Sequence, residues 1–428
     1  MNQANTKRWR RLDNAAKIFP SSTSKSDTKV FRFACELTEP IRPDALGQAL
    51  DRTLEDFSSF RFVLKRGLFW YYLEESAQPH SVRAEDTPPC GARYHDSRSP
   101  LFEVTWFDCR INVEVYHVLT DGAGALQFLR ALVYHYLLLV HPVELFGCAA
   151  PDFDASLTQR MDDGFAKYYS GAKRPKLPVR QDAPAPHRLH GPKSPEWRLQ
   201  VIEGQMPVDQ VLACARSHHA TATALMTAVL MCAVYEDMSA RERKRPVTVS
   251  IPVNLHQYFP SRTVRNFFSV VNIGYLFPEG PPVLEEVIAS VKRSLEVELT
   301  PEYLQARLDT LAELEEWMVA RVLPLAVKNL LLRHFYRRSE TTYTTSFSNV
   351  GRVSMPCELI PYIRMFDVFS STGDLQACVC SFHNVLCISF TAQLLSTDIQ
   401  RHFFRMLSEM GIDVTIAANR YLGMEGER

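Results

Sequence analysis

The chain has 428 residues, 46% hydrophobic and 22% charged, which suits a globular protein of two or three domains with large cores. Lys plus Arg number 48 and Asp plus Glu number 48, so no net field draws the chain to nucleic acid. The longest apolar runs, LMTAVLMCAVY and ALVYHYLLLV, fall short of the ~20 residues of a membrane span, and no apolar stretch follows the basic amino terminus as a secretory signal requires.

In chain order, KVFRFACEL reads as a strand and PDALGQALDRTLEDF as a helix. RFVLKRGLFWYYLEE and EVTWFDCRINVEVYHV read as hairpins, followed by a helix from Asp121. Prolines 175, 178, 184, 186, 192 and 195 then crowd one segment, and proline at that density predicts an extended connector. The expected division is a first domain over 1–170, a Pro-rich linker over 171–196 and a second domain over 197–428. The second part offers the strand WRLQVIEG and one or two helices over MPVDQVLACARSHHATATALMTAVLMCAVYED. The strands PVTVSIPVNL and NFFSVVNIGYLF come next, then helices over about 281–299 and 304–338. TTYTTSFSNVG, IRMFDVFS, LQACVCSF and VLCISFTAQ close a sheet before the helix TDIQRHFFRMLSEM. Both parts share a strand, helix, strands order, so the expected fold class is α/β, as two α+β sandwiches with a site between them.

Ten cysteines occur without a CxxC pair at zinc spacing. Cys378, Cys380 and Cys387 lie in apolar strand-like segments, which predicts reduced buried thiols and a cytoplasmic setting. No metal site is expected: His218 and His219 diverge at a helix end, and His135 and His141 lack partners at ligand spacing. The basic clusters RERKR and Arg333 with Arg337 and Arg338 read as solvated helix ends. Their functional alternative is a landing site for coenzyme A phosphates or for an acidic carrier protein.

YHVLTDGAG, residues 116–124, is the segment where chemistry concentrates. Alternation puts Ile111, Val113, Val115 and His117 on one strand face, with Asn112, Glu114 and Tyr116 on the other. His117 thus points inward at a strand end, where a lone histidine is commonly a packed core residue. Asp121 stands where a helix begins and suits an N-cap. Gly122 and Gly124 leave little bulk there, allowing close approach of another segment or a ligand.

HVLTDG matches the HxxxDG signature, and the chain resembles the chloramphenicol acetyltransferase-like superfamily. That group includes alcohol O-acetyltransferases, nonribosomal peptide condensation domains, polyketide-associated acyltransferases and wax ester synthases. RLDNAAKIFP near the start, SIPVNLHQYFPSRTVRNFFSVV at 250–271 and TTSFSNVGRV at 344–353 look like bacterial alcohol acetyltransferase-like proteins, in the same order and spacing. The resemblance implies two similar domains forming a pseudo-dimer with a tunnel between them. His117 would then be the general base, accepting the proton of an alcohol or amine that attacks a thioester; an imidazole with pKa near ~6.5 suits that task. The implied donor is acyl-CoA or an acyl carrier protein thioester, which acylates without a bound metal or permanent cofactor. A small-molecule acceptor and a monomer are expected. Asp121 would be structural, holding the histidine loop through an ion pair. Its usual arginine is replaced by His256 in PVNLHQ, leaving Arg262 or Arg265 as other candidates. Condensation-domain relatives carry a histidine where this chain has Tyr116. The oxyanion donor is expected from TTYTTSFSNVG, with Thr345, Ser348 and Asn349 as candidates and the inward face left open. Two alternatives stay in view: a non-catalytic relative that binds a small molecule or carrier protein, and a stand-alone amide-forming enzyme.

Overall fold

The computed structural model describes residues 8–94, 96–151, 167–169, 184–260, 265–316 and 323–419. The first part holds strands β1 (Trp9–Arg11), β2 (Val30–Leu37), β3 (Phe62–Arg66), β4 (Tyr71–Glu75), β5 (Val82–Ala84), β6 (Phe102–Phe107) and β7 (Arg110–Tyr116). Among them lie helices α1 (Phe19–Ser22), α2 (Pro43–Asp56) and α3 (Gly122–Val140). The second part holds β8 (Gln200–Pro207), β9 (Val247–Asn254), β10 (Phe268–Tyr275), β11 (Thr345–Val353), β12 (Ile363–Ser370), β13 (Leu375–Phe382), β14 (Val385–Ala392) and β15 (Thr415–Ala418). Its helices are α4 (Val208–Ser217), α5 (Ala222–Asp237), α6 (Leu284–Glu298), α7 (Pro301–Glu316), α8 (Leu325–Glu340) and α9 (Asp398–Glu409).

The strands form three sheets. A small one runs β1-β4-β3, a five-stranded one β12-β2-β7-β6-β5, and a seven-stranded one β10-β9-β11-β13-β14-β8-β15. The five-stranded sheet is not made from the first part alone. Strand β12 crosses over and pairs antiparallel with β2, from Ile363 opposite Leu37 to Ser370 opposite Phe31. On its other side Cys380 donates to the Phe366 carbonyl at 3.2 Å and Ser389 to Asp367 at 2.6 Å, so the two large sheets meet along this strand.

Alternation in β7 put its apolar residues inward, and Ile111, Val113 and Val115 are indeed sealed in the first core. The opposite, polar face is buried as well. An antiparallel sheet commonly leaves that face to water, and a buried carboxylate needs compensation. Arg32 and Arg93 supply it to Glu114 at 2.7 and 2.9 Å, and the Cys90 N–H donates to the same side chain at 2.6 Å.

Helix α3 begins where Asp121 caps it. It is long and apolar enough to cross a membrane, yet Phe128, Leu129 and Leu132 are fully buried within the first core, as befits a central helix. Helix α5 starts at the Thr221 cap and is buried all round from Ala224 to Tyr235, which explains its uninterrupted apolar sequence. The helix expected over 304–338 is divided. Pro324, extended at φ −56° and ψ 146°, immediately precedes α8, because proline cannot supply the amide a continuing helix needs. Residues 317–322 lie outside the described chain, as do 170–183 of the proline-rich connector. From 184 to 194 the connector has no helix or strand beyond a bridge between Lys193 and Leu394. All ten cysteines are free. Burial pushes the Cys378 thiol up to about 12, with Cys380 and Cys387 also raised, so these behave as small hydrophobes.

Candidate active site

Strand β7 ends at Tyr116, and His117 occupies the turn that follows. Two backbone hydrogen bonds fix this turn: His117 N–H donates to Lys29 O and Leu119 N–H to Tyr116 O, both at 2.9 Å. The imidazole stacks on Phe19 at 4.6 Å between ring centres and meets Phe31 at 4.7 Å and Phe268 at 5.7 Å. Phe19 comes from α1, Phe31 from β2 and Phe268 from β10 of the seven-stranded sheet. The ring therefore sits where the two halves of the chain meet, and it keeps partial exposure to solvent.

Asn266 defines the state of that ring. Its amide nitrogen donates to the His117 carbonyl at 3.1 Å and to Asp13 Oδ2 at 3.3 Å, so its oxygen is the atom 3.1 Å from His117 Nδ1. An amide oxygen only accepts, so Nδ1 carries the proton and Nε2 holds the lone pair. Nε2 has no hydrogen-bond partner among the described residues. Burial lowers the His117 pKa below the usual histidine value, since a charged imidazolium loses hydration there. The charges of Asp121 and the bond to Asn266 oppose this, and Lys29 adds to it. The balance favours a neutral base.

Asp121 holds the loop with both oxygens. Oδ1 accepts from the N–H groups of Ala123 and Gly124 at 3.1 Å each, and Oδ2 from the N–H of Phe267 at 2.9 Å. The last bond ties the start of α3 to the second part of the chain. Holding this loop is the expected task, and the hydrogen-bond donors to Asp121 among the described residues are backbone amides. Arg265 faces Asp13 at 3.7 Å and donates to Arg11 O at 3.1 Å. His256 lies edge-on to Phe267 at 5.3 Å. Arg262 lies outside the described residues. A Cβ at Gly122 would rest 3.8 Å from Phe33 Cζ, an ordinary contact, so nothing among the described residues demands glycine there. Tyr116 turns away from the imidazole, its hydroxyl 2.8 Å from that of Thr23.

The three oxyanion candidates separate by sheet face. Thr345 is buried, donating to Leu375 O at 2.9 Å, and Asn349 donates to Thr223 at 2.8 Å at the start of α5. Ser348 lies on the other face. Register links Phe268 through Val270 to Asn272, then across to Ser250 and Ser346, and alternation carries that face to Ser348. Ser348 thus shares a sheet face with the Phe268 ring that touches His117.

Asn266, Phe19, Phe31 and Phe268 were not singled out as site residues. The available signal was indirect: IFP and NFF lie within two of the segments that carry the family resemblance. Elsewhere, Glu203, Asp367 and Cys387 bring donor atoms within 4.8 Å of one another. Arg110, 3.0 Å from Glu203 and 3.9 Å from Asp367, already places a positive charge among them.

No protein-family model matches the sequence, and no curated protein is significantly similar to it. Solved structures do share its architecture. The starter condensation domain of rhizomide synthetase RzmA superposes with a TM-score of 0.63 at 13% identity, over 94% of both chains. The TRI3 trichothecene 15-O-acetyltransferase of Fusarium sporotrichioides gives 0.60 at 10% identity over 96% of both. Polyketide synthase associated protein 5 of Mycobacterium tuberculosis gives 0.58 at 14%, over 93% of this chain and 96% of that one. These neighbours are members of the chloramphenicol acetyltransferase-like and condensation-domain superfamily. The chain has their mixed α/β fold, as the HxxxDG segment implied.

Proposed function

We propose that the protein is an acyltransferase that moves an acyl group, acetyl for instance, from a thioester such as acyl-CoA to an alcohol or amine, with His117 as general base. The observation that carries this is an imidazole fixed at Nδ1, lowered in pKa, and with Nε2 unpartnered among the described residues, at the meeting of the two halves. The acceptor O–H or N–H gives its proton to Nε2 as the heteroatom attacks the thioester carbonyl. Collapse of the tetrahedral intermediate breaks the C–S bond, and the proton on Nε2 passes to the departing thiolate. Ser348 is the proposed oxyanion donor, and Asp121 holds the loop of the base in place. The fold neighbours support this reading: the rhizomide synthetase domain was captured in complex with C8-CoA, and TRI3 is an O-acetyltransferase. Closeness to bacterial alcohol acetyltransferases rests on the sequence segments alone. Condensation domains among the neighbours favour an amine acceptor as the second reading.

The test is thiol release from acetyl-CoA and C8-CoA against panels of alcohols and amines. His117→Ala is expected to lower the rate by about 10²–10⁴, the usual worth of a general base. An undiminished rate would overturn the assignment. Tight acyl-CoA binding without thiol release from any donor would identify a non-catalytic binding protein.

A further inference from the structure

Helix α8 presents an apolar stripe outward. Val327, Leu330, Leu331 and Phe335 follow the i, i+3, i+4, i+8 spacing of one helical face and are 42%, 69%, 45% and 62% exposed. The amino-terminal end of the helix is fastened to the β3–β4 turn: Leu325 N–H donates to Leu68 O at 3.0 Å and Lys328 Nζ to Phe69 O at 2.9 Å. That turn adds three more apolar side chains, Leu68, Phe69 and Trp70, with Leu68 83% exposed. Single exposed leucines are ordinary, whereas a contiguous group of this size marks a contact surface. Cations predominate on the helix, with Lys328, Arg333, Arg337 and Arg338 against one acid, Glu340, and Arg66 precedes the turn.

The inner side of the same helix reaches the candidate base. Tyr336 accepts from Lys29 Nζ, and the Lys29 carbonyl holds the His117 N–H. Arg333 donates to Ser21 O at 3.1 Å in α1, the segment whose Phe19 stacks on His117.

We propose that α8 and the β3–β4 turn form a docking surface for an anionic lipid bilayer, so that His117 acts on a lipophilic substrate delivered from the membrane. The apolar side chains enter the boundary between headgroups and acyl chains while Arg337 and Arg338 meet lipid phosphates, the geometry of an interfacial amphipathic helix. A folded acidic partner would satisfy the same arginines, but it would need pockets shaped to these protruding side chains. These side chains stand out from the surface, Leu330 69% and Leu68 83% exposed, and fluid acyl chains need no matching shape. The substrate clause rests on the acyltransferase reading; the docking clause does not.

The experiment is sedimentation of the full chain with phosphatidylcholine vesicles, with and without phosphatidylglycerol. Binding is expected to the anionic vesicles and to be several-fold weaker without the anionic lipid. Arg337→Gln with Arg338→Gln should weaken it about thirtyfold, from ~1 kcal/mol for each cation at the surface. Leu330→Glu with Phe335→Glu should abolish it at unchanged circular dichroism, whereas His117→Ala should bind as wild type. A wild-type chain that stays in the supernatant, or binding indifferent to both pairs of substitutions, overturns the docking surface. For the substrate clause, thiol release with a long-chain alcohol embedded in anionic vesicles should exceed that with a soluble short-chain alcohol. That advantage should vanish in the Leu330/Phe335 variant. Equal rates overturn the clause and leave vesicle binding intact.

Discussion

Replacing Asn266 with alanine isolates the contact that sets the protonation state of His117. The amide is 1% exposed and makes three contacts: its oxygen with His117 Nδ1 at 3.1 Å, its nitrogen with the His117 carbonyl at 3.1 Å and with Asp13 at 3.3 Å. Asn266→Ala removes all three and leaves Nδ1–H without its acceptor, so the proton is free to shift to Nε2. Stranding a buried polar group costs about 1–3 kcal/mol, which corresponds to about 5- to 150-fold in rate if the loss falls on the base. The assay is steady-state thiol release across pH 5–8. The prediction is a fall of that size in kcat with KM for acyl-CoA little changed. Asn266→Asp is the informative partner, since it keeps an acceptor and adds a negative charge beside the ring. His117 starts below the ordinary histidine pKa because of burial, so the wild-type acid limb should lie below pH ~6.5. A carboxylate at 266 favours imidazolium and should move that limb upward. Full activity of Asn266→Ala, with an unmoved acid limb in Asn266→Asp, would refute the role assigned to this residue.

Asp121→Ala should destabilise the fold by about 1.5–5 kcal/mol in urea unfolding. It removes an N-cap worth about 0.5–2 kcal/mol and strands the Phe267 N–H at about 1–3 kcal/mol. Ser348→Ala should lower kcat by about 10²–10³ with little change in stability, while Thr345→Ala, which loses a bond to Leu375 O, should lower stability and spare kcat; the reverse pattern would exchange their roles. Gly204→Ala should cost at least about 1–3 kcal/mol by thermal unfolding, because its Cβ would stand 2.2 Å from Cε1 of the buried Phe404 ring.

The pair His117 and Asp121 was legible because its signals are local. A strand period ends, an N-cap residue appears and two glycines follow within nine residues. The partners that fix the imidazole were not, for they are remote in sequence: Asn266 is 149 residues away. Asp121 illustrates the intermediate case. Its capping of α3 follows from its neighbours, but its second oxygen meets Phe267, which no local pattern announces. The TTYTTSFSNVG strand was also half-readable. Its alternation sorts side chains into two sets, and only pairing with β9 and β10 shows which set shares a face with Phe268.

Periodicity and chain-local chemistry were enough to establish mixed α/β elements, buried thiols and a histidine at a strand end beside a capped helix. Short-range sterics and hydrogen bonding act between residues a few positions apart, and that information is written in the order of the letters. Folding alone decided that β12 joins the five-stranded sheet, that Asn266 assigns the proton to Nδ1, and that α8 turns leucines outward. These depend on which distant surfaces bury one another, and burial is a property of the packed molecule that no stretch of chain possesses on its own.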